Sequence, residues 1–466
     1  YLKPVVDKYL INLDQKLKRL GLCSEPKLMQ SRGALSAISI ARKKPVRLFL
    51  SGPAAGVVGA ANIGKSLNKN NLISVDIGGT SCDIALIQDG RPKLRAEGEI
   101  GGHPVRVNMV DVNAIGSGGG SLVWLDSEGG IRVGPESAGA IPGPACYDLG
   151  GAGATVTDAS LILGFINPAY FAGGSVTLNY EKAHKVISDT IASKLNFSVE
   201  RAAQGIHQVI NSQMAEGVRL ISTQRGLDPR NFTLIAIGGA GPIHAVAIAE
   251  DIGIRDIIVP FKPGVLSAIG LLSAPIEHET TLSVQRDLTD LTCTKIRSML
   301  KPLNKKCRAL MKEEGVEDMK IAHVADLCYV GQSYHLSIEL FINEQDMLEQ
   351  LISDFKVEHD SVYGHASDSP VKLINLKTVC RSIETDFPDQ SVGGDVSCQS
   401  VKPERLVFFL DRSEPHLAQV YERKFLASGD YIEGPAIIEQ EDTTTVIPDN
   451  WGASVSKSGD LVLSNR

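Results

Sequence analysis

Apolar residues recur along the chain in two periodicities, one typical of helices and one typical of strands. From Val5 to Leu20 they follow helical spacing, and Gly21 ends this predicted helix. A longer helix is predicted over about 199–226, with Ser198 as its N-cap. Short apolar runs predict buried strands at 72–77, 232–237 and 254–259. Helices and strands that alternate in this way predict an α/β fold.

The predicted strand at 72–77 leads into a turn and not into a helix. It carries Asp76-Ile-Gly-Gly-Thr80 at its end, after which residues 81–87 alternate between apolar and polar. Asp89-Gly90 is a hairpin signal, and a further strand is predicted within 93–100. The pattern therefore predicts three strands joined by two tight turns.

Glycine clusters along the chain instead of spreading evenly. The 45 glycines exceed the usual share, and residues 101–174 hold many of them, including those of Gly116-Ser-Gly-Gly-Gly-Ser121. Glycine that clusters without low complexity indicates backbone brought close to a ligand. Beyond about residue 292 the composition is ordinary for an α/β protein, and about 405–463 is predicted to be rich in strands.

Composition and charge argue against several classes of function. A chain of 466 residues is predicted to form two to four domains. Its net charge of −7 and the lack of a long basic run argue against a general nucleic-acid or membrane surface. No apolar run is long enough to span a bilayer, and no signal peptide is evident. The eight cysteines form no Cys-x-x-Cys pair, so neither a zinc site nor a disulfide framework is predicted. We expect a cytoplasmic protein.

The turn at Asp76-Ile-Gly-Gly-Thr80 has the composition of a phosphate site. Two glycines let backbone N–H groups approach phosphate oxygens without a Cβ in the way, and Thr80 adds a hydroxyl donor. Asp76 is a candidate ligand for Mg²⁺, because Mg²⁺ prefers carboxylate and water oxygens. The simpler alternative is a tight hairpin turn that needs glycine only for its shape.

A second glycine corner follows the predicted strand at 232–237. There Gly238-Gly-Ala-Gly241 opens a helix, and free N–H groups at a helix start favour an anion or a nucleotide. The run does not match G-x-G-x-x-G, and no βαβ unit is predicted around it. Close packing of helix on strand is the alternative, and for His244 a core or cap position is the simpler interpretation.

These two corners resemble the second phosphate loop and the adenosine loop of the actin/Hsp70/sugar-kinase ATPase fold. Longer strings resemble the A-type subunit of the hydantoinase/5-oxoprolinase family over essentially the whole chain. These strings are 50–59, 76–80, 110–121, 132–139, 142–147, 155–158, 171–174, 225–230, 238–244, 263–271, 329–332 and 434–446.

The resemblance implies a division of the chain into four regions. They are a linker helix region at 1–45, an actin-like ATPase lobe at 46–290 with a glycine-rich insert at about 101–180, an α/β segment at 291–390, and a β-rich C-terminal domain at 391–466. Family members normally begin with another lobe carrying a first Asp-x-Gly-Gly-Thr loop, which we expect to precede Tyr1. Asn113 and Ser117 stand where relatives often carry His and Ala, a difference that bears on the substrate.

The resemblance also implies a chemistry, in which ATP phosphorylates the oxygen of a cyclic amide so that water can open the ring. Its implied cofactors are ATP and Mg²⁺, and its implied partner is a B-type hydantoinase subunit or fused domain within an oligomer. The implied sites are Asp76 for Mg²⁺; Gly78, Gly79 and Thr80 for phosphates; Gly238, Gly239 and Gly241 for the nucleoside; and Gly118, Gly119 and Gly120 for phosphate or substrate.

Four polar residues of the insert are candidates for catalysis. They are His103, Asp111, Cys146 and Asp158. Cys146 is alternatively a buried structural thiol, and Asp158 is alternatively a cap for the helix predicted to follow it. The substrate is expected to be 5-oxoproline or a hydantoin. Two other functions stay open: the matching subunit of an ATP-dependent ketone carboxylase, and a non-catalytic ATP-binding module of the actin type.

Overall fold

The computed structural model describes residues 2–95, 97–100, 102–342, 346–383 and 401–465. In these ranges the α-helices are α1 (Leu2–Arg19), α2 (Ile38–Ala41), α3 (Ser51–Ser66), α4 (Val156–Ile162), α5 (Tyr180–Ile187), α6 (Ser193–Leu195), α7 (Val199–Ser222), α8 (Gly241–Ile252), α9 (Leu266–Ser273), α10 (Cys293–Glu313) and α11 (Met347–Tyr363). None of these helices is both long enough and apolar enough to cross a lipid bilayer.

The strands are short and numerous. In chain order they are β1 (Lys27–Met29), β2 (Leu35–Ala37), β3 (Leu72–Ile77), β4 (Cys82–Gln88), β5 (Arg91–Pro92), β6 (Leu94–Arg95), β7 (Gly98–Ile100), β8 (His103–Val105), β9 (Met109–Val110), β10 (Val112–Ile115), β11 (Ser121–Leu125), β12 (Ile131–Ser137), β13 (Thr233–Ile237), β14 (Asp256–Val259), β15 (Glu277–Asp287), β16 (Met319–Tyr329), β17 (Leu336–Glu339), β18 (Val371–Ser382), β19 (Val401–Val407), β20 (His416–Glu422), β21 (Tyr431–Glu433), β22 (Ala436–Glu439), β23 (Thr444–Ile447), β24 (Trp451–Val455) and β25 (Leu461–Asn465).

The chain divides into two compact units. The first comprises Tyr1–Ser51, Glu97–Met109 and Ser273–Asp386, and the second comprises Gly52–Ala96, Val110–Leu272 and Phe387–Arg466. The four regions predicted from the sequence remain predictions, and the expected boundary at 390–391 lies outside the described residues.

The first unit is built on a four-stranded antiparallel sheet in the order β15-β18-β16-β17. Its core joins α10 and α11 to the sheet through apolar side chains such as Leu300, Phe355 and Leu376. The hairpin of β1 and β2 is held by Arg32, which lies 2.7 Å from a Glu277 oxygen and 2.8 Å from a Glu279 oxygen.

The second unit is built on a long mixed sheet in the order β10-β4-β3-β13-β14-β25-β24-β21. β3 and β4 form the predicted antiparallel hairpin, whereas β3, β13 and β14 run parallel. The strand predicted within 93–100 does not extend this sheet. β5 pairs with β4 only at Arg91 and Pro92, the Lys93 N–H adds one hydrogen bond to the Leu86 oxygen, and β10 takes the place beside the rest of β4.

Helices cover both faces of this sheet. On one face, α3 packs its small residues against Leu72, Ala85 and Ile87. On the other face, α7 and α8 join the main core. α3 also packs closely on α9, because a Cβ at Gly270 of α9 would stand 2.1 Å from the Ala55 carbonyl oxygen.

Two expectations about helices are settled by the structure. α7 begins at Ser198 as predicted, and the Ser198 hydroxyl accepts a hydrogen bond of 3.1 Å from the Arg201 N–H. The absence of a βαβ unit around the second glycine corner was wrong. β13, α8 and β14 form one, because β14 returns parallel to β13 after the helix.

The C-terminal strands belong to two different sheets. β19, β20, β22 and β23 form a separate four-stranded sheet, as expected of a strand-rich segment. β25, in contrast, pairs antiparallel with β14 and brings β24 and β21 into the long sheet. The last residues of the chain are therefore part of the same layer as the glycine corners.

Candidate functional site

The two glycine corners are neighbours in the second unit, because each follows one of two adjacent parallel strands. The Ala240 N–H donates to the Ile77 carbonyl oxygen at 3.1 Å. Gly238 has φ +82°, and a Cβ there would stand 2.3 Å from the same oxygen. Only glycine permits this approach of two backbones.

The glycine run at 118–120 packs against the first corner through its backbone. The Gly119 N–H donates to the Gly78 oxygen at 3.0 Å, and the Gly120 N–H donates to the Gly79 oxygen at 2.6 Å. A Cβ at Gly118 would lie 2.8 Å from backbone atoms of Gly78 and Thr80. Gly118 and Gly120 therefore support the turn through close backbone contacts.

Gly78 and Gly79 have open space where a side chain would be. A Cβ at Gly79 would meet nothing within 4 Å, and one at Gly78 would meet a single atom at 3.9 Å. Both residues are exposed, as is Thr80. This part of the turn is free to receive a ligand.

A pocket of about 220 Å³ opens between the two corners. Its walls include Gly78, Gly79 and Gly119 on one side and Gly239 and Ala240 on the other. The remaining lining combines apolar and aromatic side chains with ten polar or charged ones. It includes Tyr147, Val156, Thr157, Ser160, Ile166, Asn167, Tyr170, Phe171, Ala172, Ile243 and His244, and the segment 439–444.

Two stacked histidines lie at one wall of the pocket. His244, on α8, faces His207 of α7 with 4.8 Å between ring centroids. Nδ1 of His244 lies 2.7 Å from Oδ1 of Asn211, and Nε2 of His207 lies 2.9 Å from the Ser160 hydroxyl. Burial lowers the pKa of His244 to about 4 and that of His207 well below its ordinary value, so both rings are neutral at pH 7.

The loop between β22 and β23 closes the pocket and ties it to the second corner. The Thr443 hydroxyl donates to the Gly239 oxygen at 2.9 Å. Glu439 is buried and paired with Lys402 at 2.7 Å and with Arg405. The negative charge of a buried carboxylate paired in this way is balanced by its neighbours, so Glu439 forms part of the pocket wall.

Asp76 and Asp83 face each other across the β3–β4 hairpin, since they are direct partners in its register. The pKa of Asp76 is raised to about 6, first by burial and then by the Asp83 carboxylate. Burial also raises the pKa of Asp83. No Lys or Arg of the described residues neutralises the pair, which leaves it suited to a divalent cation.

Asp111 is held away from the pocket by ion pairs. It precedes β10, whose register places Val112 opposite Ala85 and Ile115 opposite Cys82, so Asp111 lies at the end of β4 far from the glycine turn. Its carboxylate pairs with Arg225 and lies 3.8 Å from Arg95. The structure does not bring this predicted catalytic residue to the site.

His103 and Cys146 are not among the residues that line the pocket. His103 is an exposed residue of β8 in the first unit. The Cys146 thiol is fully buried, and burial together with the adjacent Asp158 carboxylate raises its pKa, so it is protonated and inert at neutral pH. The catalytic role predicted for Cys146 is therefore disfavoured, and its alternative as a structural thiol fits the structure.

Asp158 takes part in capping the helix, as its alternative interpretation predicted, but it does so from inside the first turn and not from the N-cap position. α4 begins at Val156, with Thr155 as its N-cap and Asp158 at the third helical position of a capping box. The buried carboxylate accepts from the Cys146 N–H at 2.8 Å and from the Thr155 hydroxyl at 2.7 Å. It fixes the insert beside the pocket.

Several lining residues were not singled out from the sequence. Tyr147, Phe171 and the segment 439–444 lie inside strings that resembled the family, but no role was attached to them. The run Glu439-Gln-Glu-Asp-Thr-Thr-Thr445 was the available signal, because polar residues seldom cluster between two fully buried strands.

Two family models match nearly the whole chain. Residues 1–280 match the Hydantoinase/oxoprolinase model, and residues 284–459 match the Hydantoinase/oxoprolinase C-terminal domain. An uncharacterized protein of Methanocaldococcus jannaschii is 36% identical over 99% of this chain and 68% of its own length. The caprolactamase subunit alpha of Pseudomonas jessenii is 32% identical over 100% of this chain and 68% of its own length.

Two solved structures resemble the chain as a whole. The ATP-dependent caprolactamase of Pseudomonas jessenii superposes with a TM-score of 0.89 at 31% identity, covering 100% of this chain and 69% of that one. Nucleotide-free acetone carboxylase superposes with a TM-score of 0.81 at 25% identity, covering 99% of this chain and 67% of that one. The predicted α/β architecture of the actin-like ATPase type is confirmed. The chain belongs to the hydantoinase/oxoprolinase family, as an A-type subunit.

Proposed function

We propose that this chain is the ATP-using part of an enzyme that hydrolyses a cyclic amide of the 5-oxoproline or hydantoin type. The observation that supports it most is the meeting of the two glycine corners at one pocket. The relative named as an ATP-dependent caprolactamase supports the cleavage of a cyclic amide as the reaction at that pocket. An unstrained amide resists water, and phosphorylation of its oxygen supplies a better leaving group.

The exposed turn at Gly78 and Gly79 is proposed to hold the terminal phosphates of ATP through the Gly79 N–H and the Thr80 hydroxyl. The Gly78 N–H closes the turn, since it donates to the Ser81 oxygen at 3.0 Å. Gly239 and Gly241 lie at the second corner, where α8 begins and its N-terminal N–H groups add positive potential. Phosphoryl transfer requires mainly positioning and charge neutralisation, which backbone donors provide.

Mg²⁺ is proposed to bind at the Asp76 and Asp83 carboxylates. In the described ranges no three His, Cys, Asp or Glu side chains gather into a protein-only metal site. Two carboxylates suit Mg²⁺, which keeps water and phosphate oxygens as its remaining ligands. The ion would offset the charge of the transferring phosphoryl group, while Asp76 would orient it beside the glycine turn.

The experiment is a substrate panel with the full-length protein and any subunit that purifies with it. ADP formation is measured with 5-oxoproline, hydantoin, ε-caprolactam or acetone, each with and without bicarbonate. The proposal predicts ADP formation that requires a cyclic amide and ignores bicarbonate. ADP formation that needs acetone and bicarbonate would instead identify a ketone carboxylase, which the likeness to acetone carboxylase keeps as a second candidate. ATP binding without turnover on any substrate would identify a non-catalytic module.

A B-type subunit or fused domain is proposed as the partner, since the caprolactamase relative is itself named as a subunit. We further propose a cytoplasmic location, where ATP is available as co-substrate. Co-purification of an affinity-tagged chain from its own host, followed by mass spectrometry, tests the partner; a chain that elutes alone and hydrolyses the amide alone would exclude it.

A further inference from the structure

We infer that the pocket between the glycine corners receives the ring of the cyclic amide, and that Nε2 of His244 accepts the proton of its ring N–H. This inference rests on the proposed function and adds to it a substrate site and a catalytic residue. It follows from the size of the pocket, its walls and the tautomer of His244.

The size of the pocket favours a small ring over a nucleotide. A dry cavity of about 150 Å³ can hold benzene, with six non-hydrogen atoms. By that ratio the pocket of about 220 Å³ holds about nine such atoms. Lactams such as caprolactam and 5-oxoproline have about eight or nine, whereas ATP has about thirty.

An adenine base alone would also fit by volume, but its position would not. Gly78 and Gly79 form part of the pocket wall, and they are the residues proposed to hold the terminal phosphates. A base resting against that wall leaves no span for the ribose and phosphates between itself and the turn. A cyclic amide in the same place brings its carbonyl oxygen to the phosphate that it must attack.

The walls suit the parts of a lactam. Tyr147, Ile166, Phe171 and Ile243 offer apolar surface to ring methylenes. Many of the polar residues that line the pocket already have hydrogen-bond or ion-pair partners within the protein. The Thr157 hydroxyl donates to the Gly119 oxygen at 2.8 Å.

His244 differs from these engaged groups, because one of its ring nitrogens remains for a ligand. Nδ1 of His244 lies 2.7 Å from Oδ1 of Asn211, and with the amide in this orientation Nδ1 carries the proton and donates to it. Nε2 is then a lone pair on a neutral ring that lines the pocket. Its stacking on His207 and its burial keep the ring in one orientation.

The proposed step conserves atoms and charge. The amide oxygen forms a bond to the γ-phosphorus of ATP, and the bond from that phosphorus to the ADP oxygen breaks. The ring N–H proton passes to Nε2 of His244. The products are ADP, a protonated His244 and an O-phosphoryl imidate, whose ring nitrogen is neutral and whose phosphoryl group keeps its two negative charges. Water can attack this imidate at carbon.

The first test compares His244→Gln with His207→Gln in the full-length protein and its partner. Glutamine can accept a hydrogen bond but cannot take the proton. We expect His244→Gln to lower cyclic-amide-dependent ADP formation about a hundredfold, with the affinities for ATP and ε-caprolactam changed less than about threefold. His207→Gln makes the same change in the stacked partner, which does not line the pocket. We expect it to lower cyclic-amide-dependent ADP formation less than about tenfold. Equal losses in both variants, or normal turnover in His244→Gln, would overturn the catalytic role.

The second test fills the pocket with Ile243→Phe. We expect the Kd for ε-caprolactam, measured by calorimetry, to rise about tenfold or more while the Kd for ATP is unchanged. Loss of ATP affinity with caprolactam binding intact would show that the pocket takes the nucleotide base. Unchanged binding of both ligands would equally overturn the inference. The proposed function fails on a different result, namely no ADP formation by the unmodified protein with any cyclic amide.

Discussion

Gly79 lies in the first glycine corner and Gly118 packs against that corner, and a side chain would meet different surroundings at the two positions. A Cβ at Gly79 meets nothing within 4 Å, whereas one at Gly118 meets three backbone atoms at 2.8 Å. The first glycine leaves room for a ligand, and the second leaves room for the protein itself.

Gly79→Val is therefore expected to remove ATP binding without unfolding the protein. The valine would occupy the space proposed for phosphate, and the Kd for ATP should rise at least about a hundredfold. Circular dichroism and the unfolding midpoint should match those of the unmodified protein. Unchanged nucleotide affinity would remove this turn from the site.

Gly118→Ala gives the matched contrast. Its Cβ has no room, so we expect a loss of about 2 kcal/mol or more in the free energy of unfolding. Urea denaturation measures this loss, and Gly79→Ala should show almost none. Similar stability in the two alanine variants would contradict the different environments of the two glycines.

Asp76 is expected to lower the stability of the ligand-free protein, although it is proposed to bind Mg²⁺. Its folded pKa of about 6 lies above the ordinary value of 3.8, so the folded protein keeps a proton that the unfolded chain loses between those pH values. Stability therefore falls as pH rises from about 4 to about 6, and the penalty persists at pH 7.

Asp76→Asn removes this penalty. We expect the ligand-free variant to be roughly 1–2 kcal/mol more stable at pH 7, a figure reduced because the side chain is only half-buried. The gain should vanish near pH 4, and Mg²⁺-dependent ATP turnover should be lost. Urea unfolding at both pH values checks the first part. A variant with normal Mg²⁺ dependence would exclude Asp76 as a metal ligand.

At the scale of elements, the start of α4 shows how one buried carboxylate organises the insert. Asp158 accepts from the backbone at Ala145, Cys146 and Thr155 as well as from the Thr155 hydroxyl. Asp158→Ala would leave these donors unpaired, and we expect about 3 kcal/mol or more of destabilisation, which thermal melts can show.

Cys146→Ala should keep its rate of ADP formation per folded molecule, as ADP assays can show. Complete loss of turnover in a stable Cys146→Ala protein would restore the thiol as catalytic.

Elements with local causes could be predicted from the sequence, and those with distant causes could not. α1, α7 and the β3–β4 hairpin follow from caps, periodicity and turn residues that are close in the chain. The parallel pairing of β3 with β13 and the antiparallel pairing of β25 with β14 join segments far apart, and no local pattern specifies them.

At the scale of the molecule, the same distinction separates the glycine corners from the rest of the pocket. Their glycines marked them in the sequence, because close backbone approach leaves few other choices. The segment 439–444 reaches the pocket only because β22 and β23 fold beside the second corner, about 200 residues later in the chain. Asp111 and Cys146 failed in the opposite way: their chemistry suited catalysis, but ion pairing and burial engage them elsewhere.

A crystal structure of the full-length protein with a non-hydrolysable ATP analogue, Mg²⁺ and ε-caprolactam tests the central claim most directly. The account predicts the γ-phosphate within hydrogen-bonding distance of the Gly79 N–H and the Thr80 hydroxyl, and the lactam in the pocket with its N–H toward His244. Phosphates bound away from this turn, with the pocket empty or filled by adenine, would contradict it.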